Sequence, residues 1–140
     1  MILLRNYLDS DYLEVRATLE ETKMFDEVRD NRENLRKKIE IDSSSIIVAA
    51  DSNKVIGNVY LMYDGVFAFI FRLAVKEAYQ NLGVGGLLLQ EAEKRLCQKG
   101  ARRIALWVRE SELVQLQLFY EKRGYQLAEG LHQCLYKEFS

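Results

Sequence analysis

Histidine and cysteine are scarce in this chain of 140 residues, which has one His and two Cys. A single His cannot build a His cluster. Cys97 and Cys134 stand far apart, without metal-ligand spacing. No metal site is therefore expected. Two unpaired cysteines fit a reducing, cytoplasmic compartment. An excess of positive charge is missing too: 20 Lys and Arg are balanced by 21 Asp and Glu, for a formal net charge of −1. Duplex nucleic-acid binding usually rests on a basic excess, so no nucleic-acid partner is expected. No apolar run reaches the roughly 18 residues that suggest a membrane-crossing helix. The apolar start Met1-Ile2-Leu3-Leu4 is too short for a signal peptide. Nothing thus marks the chain for export or a membrane. Proline is absent altogether, where average usage predicts several, and nothing in the sequence accounts for that.

What remains is ordinary for a globular protein: 49% hydrophobic and 29% charged residues. The length suits one domain, residues 1–140, with a real core. Basic clusters occur at Arg36-Lys37-Lys38 and over residues 99–103. They read as solvated helix ends complementing the dipole.

Apolar spacing predicts a weak first strand over residues 2–7 and a helix from an Asp9 or Ser10 cap to about Met24. A charged helix over 27–39, with few apolar anchors (Val28, Leu35, Ile39), should lie on the surface. Residues 46–50, 55–63 and 67–75 read as an antiparallel meander, turning at Asp51-Ser-Asn-Lys54 and Asp64-Gly65. An amphipathic helix over 84–99 carries the stripe Leu88, Leu89, Ala92 and Leu96, and Gly100 ends it. A strand over 104–108 would run parallel to the previous one, reached by this crossover helix. Ser111 can cap a last helix to Lys122, and strands over 125–128 and 134–137 would close the sheet. His132 falls in the loop between them and is given no role. The fold class is α/β: a mixed, mostly antiparallel sheet with helices on both faces.

Chemistry is concentrated between residues 73 and 89. A strand ends at Val75, and a helix opens inside the glycine cluster Gly83, Gly85, Gly86. The first N–H groups of a helix lack partners and sit at the positive end of its dipole. Glycines there let a phosphate approach the backbone. Which phosphate is constrained by what is missing. Leu88 stands where a dinucleotide fingerprint needs its third glycine, and Arg102 and Arg103 fall near its ribose-binding acid. No Lys-Ser or Lys-Thr follows the glycines, so an NTPase loop is excluded. A plain strand-to-helix turn needing small residues is the alternative.

The surviving pattern, Gln-x-x-Gly-x-Gly from Gln80 to Gly85, resembles the acyl-CoA pyrophosphate loop of the GNAT superfamily of N-acetyltransferases. Phe119-Tyr-Glu-Lys-Arg-Gly-Tyr125 resembles the family's Tyr-Glu-Lys-x-Gly-Phe ending of its last helix, at the right distance downstream. Within the family the chain resembles the short single-domain branch near the acetyltransferases of ribosomal-protein N-termini. The resemblance implies a splayed pair of parallel strands, ending near Val75 and Val108, that admits the pantetheine arm of acetyl-CoA. It assigns cofactor contacts to Leu73, Ala74, Val75, Gln80, Asn81, Leu82, Gly83, Val84, Gly85 and Gly86. Pairing with the Leu73 and Val75 backbone would be strand addition, which depends on main chain rather than side chain. A homodimer through late strands is also implied.

The implied reaction moves an acetyl group from acetyl-CoA to a primary amine of a small molecule or peptide. It needs orientation, an oxyanion donor, a proton route and an acid for the thiolate. Tyr120 is the candidate acid: a phenol is protonated at neutral pH and can donate to a thiolate. The run Leu106-Trp-Val-Arg-Glu-Ser-Glu112 is similar to a Leu-Glu-Val-Arg-x-Ser-Asn run in which the Glu is the base. Trp107 takes that place here and has no basic site. Glu110, Asp64, Glu112 or a water chain must then serve, with Glu110 the choice. Trp107 and Arg109 are candidates for acceptor binding, by stacking and by pairing with a carboxylate. A non-catalytic CoA-binding sensor or interaction module is the alternative. A flavin- or nucleotide-binding protein is a third reading.

Overall fold

A computed structural model describes residues 1–130 and 134–139, and of Glu110 only the backbone. The chain divides into two compact units, Met1–Leu106 and Trp107–Ser140.

In the first unit, strand β1 (Ile2–Asn6) is followed by helices α1 (Tyr12–Glu21) and α2 (Arg32–Ile41). Then come β2 (Ile46–Asp51), β3 (Lys54–Tyr63), β4 (Ala68–Val75), helix α3 (Val84–Lys99) and β5 (Ile104–Ala105). The five strands lie in sequence order. The β1–β2, β2–β3 and β3–β4 pairs are antiparallel and β4–β5 is parallel. This is the mixed sheet that the residue pattern implies.

Both faces of the sheet are covered. Ile46 and Val48 of β2 join Tyr12, Val15, Leu19 and Leu35 of α1 and α2 in one apolar cluster. Ile47 and Ala49 alternate to the other face and are equally buried. That burial requires a second layer, which α3 supplies by lying along β2, β3 and β4. Its stripe of Leu88, Leu89, Ala92 and Leu96 is wholly buried.

Some boundaries differ from expectation for local reasons. Lys23 takes a left-handed φ of 62° and stops α1 short of Met24. Residues 27–31 do not join α2. Their backbone is held in turns by aspartates: the Asp26 N–H donates to Asp30 Oδ2 at 2.9 Å and the Val28 N–H to Asp26 Oδ1 at 3.0 Å. Such side-chain bonds compete with helix. Asn31 then caps α2, accepting from the Asn34 N–H at 2.9 Å. The β2–β3 turn places Ser52 and Asn53 at φ 49° and 71°, as a two-residue hairpin needs. β5 ends at Ala105 rather than Val108.

In the second unit, helix α4 spans Glu110–Glu121, with Arg109 rather than Ser111 at its N-cap. Residues 125–128 and 134–137 are not strands. Their unit contains no strand among its described residues, and a strand needs a partner to satisfy its backbone. His132 lies outside the described residues.

Candidate functional site

β4 ends at Val75, and a short 3-10 turn at Glu77–Tyr79 leads into the glycine segment. Gln80 Nε2 donates to the Val75 carbonyl at 2.9 Å, tying the loop to the strand end. Asn81 and Gly83 then take left-handed φ values of 64° and 88°. Asn tolerates that region and Gly enters it without penalty. A Cβ built on Gly83 would meet nothing within 4 Å. The demand for glycine there is thus conformational, and the space around the backbone is open.

Gly83 caps α3, and its carbonyl accepts from the Leu87 N–H at 3.1 Å. The N–H groups of Gly83, Val84, Gly85 and Gly86 precede that bond and have no intrahelical acceptor. Among the described residues no side chain caps them, and the first turn has no acidic residue. No carboxylate of the helix's own first turn offsets the positive end of its dipole, an arrangement suited to a phosphate. Leu82 beside it is 71% exposed.

The loop adjoins an open strand edge. β5 pairs with β4 only at Ala68↔Ile104 and Phe69↔Ala105. From Ile70 onward that side of β4 has no ladder partner among the described residues. The Lys76 N–H donates to Ile56 O at 2.8 Å, which sets the phase of the strand. By alternation, backbone groups of Ala74 face β3, and those of Leu73 and Val75 face the open edge.

β4 is also bulged. Asn58 pairs with Ala74 and Tyr60 with Phe71, so Val59 alone opposes Arg72 and Leu73. Arg72 sits at φ 55°. A non-glycine residue there costs about 1–3 kcal/mol and persists only when its surroundings enforce it. Here they do. Asp30, 1% exposed, takes the Arg72 guanidinium, with Nε 3.2 Å from both carboxylate oxygens and Nη2 3.2 Å from Oδ2. The Tyr60 hydroxyl donates to Asp30 Oδ1 at 3.0 Å, and Asn58 Nδ2 donates to the Arg72 carbonyl at 2.9 Å. Both Tyr60 and Asn58 are buried.

Lys38 is not the solvated residue its basic cluster suggests. It is half-buried, donates to the Leu61 carbonyl, and lies 5.1 Å from the Phe71 ring centroid and 5.8 Å from that of Tyr60. Burial pushes its ammonium down to about 8. Gly57 on β3 is a further contact point. A Cβ there would stand 3.0 Å from the Ala74 carbonyl oxygen and 3.1 Å from Leu88 Cδ1. Its smallness lets α3, which opens in the glycine segment, approach β3.

Asp64, a candidate base, is occupied otherwise. Its Oδ1 accepts the Phe67 and Val66 N–H groups at 2.7 and 2.9 Å in the β3–β4 turn. Those bonds hold its carboxyl below the usual range, which weakens it as a base. It also lies at the far end of β4 from the glycine segment.

The remaining candidates belong to the second unit. Tyr120 stacks edge-on with Phe119 and Tyr125, at centroid distances of 5.0 and 5.7 Å. Burial, then the charge of Glu112, pushes its phenol above the ordinary value, so it stays protonated. Arg123 closes the turn over the Phe119 ring at 3.9 Å. Trp107 is 81% exposed. Arg109 sits at the N-cap of α4 and Glu110 is its first residue, with the Glu110 side chain outside the described part.

The first unit therefore brings together Leu73, Ala74, Val75 and residues 80–86. The second holds Trp107, Arg109, Glu110 and Tyr120. Sequence reasoning passed over Asp30, Gly57, Asn58, Tyr60 and Arg72. One signal was available: Arg72 is the lone cation in the apolar run over 67–75. Among the described residues no group of three or more His, Cys, Asp or Glu could hold a metal ion.

Comparison with known proteins gives the following. The model of the acetyltransferase (GNAT) family matches residues 4–125. The fold is similar to that of PaiA N-acetyltransferase from Thermoplasma acidophilum, solved in complex with coenzyme A: TM-score 0.80, 22% identity, 93% of this chain and 92% of that one. It is similar to Ard1 from Thermoplasma volcanium: TM-score 0.79, 19% identity, covering 91% and 84%. N-acetylglutamate synthase from Neisseria gonorrhoeae, complexed with coenzyme A and N-acetyl-glutamate, matches at TM-score 0.72 and 20% identity, over 92% of this chain and 29% of that one.

Proposed function

Because the chain belongs to the GNAT acetyltransferase family, we propose that residues 1–140 act as one N-acetyltransferase domain, moving an acetyl group from acetyl-CoA to a primary amine. The observation that carries this reading is the join between an open strand edge and an uncapped helix N-terminus. Leu73 and Val75 turn backbone groups to the edge, and Gly83 to Gly86 offer N–H groups at the helix. Asn81 and Gly83 give the loop its left-handed turns, and Gln80 ties it to Val75. Extended pantetheine suits the first feature and a pyrophosphate the second.

Attack by the neutral amine on the thioester carbonyl needs no covalent enzyme nucleophile. The main-chain N–H of Leu73, on the open edge of β4, donates to the developing oxyanion, since the Ala74 N–H is turned to β3. Collapse breaks the carbon–sulfur bond, and Tyr120, held protonated by burial and by Glu112, donates to the departing thiolate. The amine's proton leaves through Glu110, Glu112 or water. A base contributes roughly 100-fold or more where present, so a water route still supports turnover. Trp107 and Arg109 are the proposed acceptor contacts. The acceptor is a small molecule or a peptide terminus.

Thermal melting with acetyl-CoA, NAD and FMN tests this reading. A ligand at about 100 times its dissociation constant stabilises by about 2.7 kcal/mol, several degrees for a domain of this size. Acetyl-CoA alone should raise the melting temperature, and Gly85→Glu should remove the rise by repelling phosphate. No rise in the parent protein rejects the assignment.

A second reading, a CoA-binding module without catalysis, is favoured by Trp107, which cannot act as a base. Turnover with an amine panel separates the two.

A further inference from the structure

A strained residue sits beside the open edge of β4, and everything that holds it comes from outside that edge. Arg72 has a left-handed backbone inside a strand, opposite a single residue of β3. Nothing in its own side chain favours that conformation. Its guanidinium is bound by a carboxylate whose side chain is fully buried, and its carbonyl is held by a buried asparagine. Asp30 belongs to the segment between α1 and α2, 42 residues away in sequence, and the other bonds to its carboxylate come from Tyr60 Oη and the Asp26 N–H. The carboxylate is thus held by two donors before it meets Arg72.

We propose that Asp30 and Arg72 are positioning residues for the cosubstrate: their buried ion pair holds the β4 bulge, and the bulge aims the Leu73 and Val75 backbone groups at the pantetheine arm. This deepens the acetyl-CoA reading and rests on it. Leu73 is the second residue of the bulge and follows Arg72 directly, so a rotation at Arg72 passes into its N–H and C=O directions. The glycine segment follows the end of the strand, past Val75, and is separately pinned by the Lys76–Ile56 and Gln80–Val75 bonds. Losing the clamp should misdirect one part of the site and spare the other.

That asymmetry supplies the test. Calorimetric titration is run with acetyl-CoA and with adenosine 3′,5′-bisphosphate, which carries no pantetheine. The parent protein is compared with Arg72→Lys and with the double variant Asp30→Asn/Arg72→Gln. The lysine keeps a cation on Asp30 but loses the planar fork. The double variant leaves no buried charge alone. Both should bind acetyl-CoA about tenfold more weakly, ~1.4 kcal/mol, the size of one or two misdirected hydrogen bonds. Both should bind the bisphosphate as the parent does. Equal acetyl-CoA affinity in parent and variants overturns the clamp and leaves the function standing. Parallel loss of both ligands means a structural role only and also overturns it. A parent that binds neither ligand rejects the acetyl-CoA reading, and the clamp falls with it.

Discussion

Replacing Lys38 by methionine should change how stability depends on pH, in a direction and amount that the burial of its ammonium fixes. The unfolded lysine titrates at 10.5 and the folded one at about 8. The unfolded chain therefore holds the extra proton between those values, and stability rises with pH across that window. The whole shift corresponds to ~3 kcal/mol disfavouring the charged, folded form at neutral pH. Linkage over the interval from about pH 7 to about pH 9.5 recovers about 2 kcal/mol of that cost. Methionine puts an unbranched apolar chain of similar length beside Tyr60 and Phe71, where the ammonium now sits, and has no proton to lose. It also leaves the Leu61 carbonyl without its donor, a cost of about 1–3 kcal/mol that does not vary with pH. Urea unfolding of both proteins at the two pH values isolates the term, because other titrating groups cancel in the difference. The parent should gain about 2 kcal/mol on the variant as pH rises. A gap independent of pH, or one moving the other way, would refute the burial argument.

Three more outcomes follow from the same structure. Gly57→Ala places a methyl against the Ala74 carbonyl and Leu88, so it should destabilise by about 1–2 kcal/mol net of the chain-entropy gain, read as a lower urea midpoint. Gly83→Ala forces a Cβ into a left-handed position at a cost of about 1–2 kcal/mol, and acetyl-CoA should bind more weakly as the loop relaxes, read by calorimetry. Tyr120→Phe should lower turnover by about 100-fold while leaving acetyl-CoA affinity unchanged, since it removes a proton donor and keeps the ring; unchanged turnover would exclude Tyr120 as the acid.

Local patterns were legible from sequence wherever one period governed the outcome. The α3 stripe and both its glycine boundaries follow from helical spacing and from the need for left-handed backbone at residues 83 and 100. The meander follows from apolar runs broken by turn residues. Glu27 to Asn31 misled because charge spacing looks helical, while two aspartates capture the backbone there. Lys38 misled because neighbouring residues suggest solvent, and only α2 lying over Tyr60 and Phe71 buries it. The Asp30–Arg72 pair was illegible because a contact spanning 42 residues leaves no local period. Arg72 in an apolar run asks for a buried anion but does not say which of 21 acids supplies it.

The two-pair ladder between β4 and β5 has a consequence for handling the protein. An unpaired stretch of strand is a template for any extended chain, including another molecule's exposed strand. Proteins usually blunt such edges with proline or charge. This chain has no proline, and Arg72, the one charged residue within β4, is committed to Asp30. Protein without cosubstrate should therefore be the more prone to self-associate on concentration, and acetyl-CoA should act as a solubilising additive.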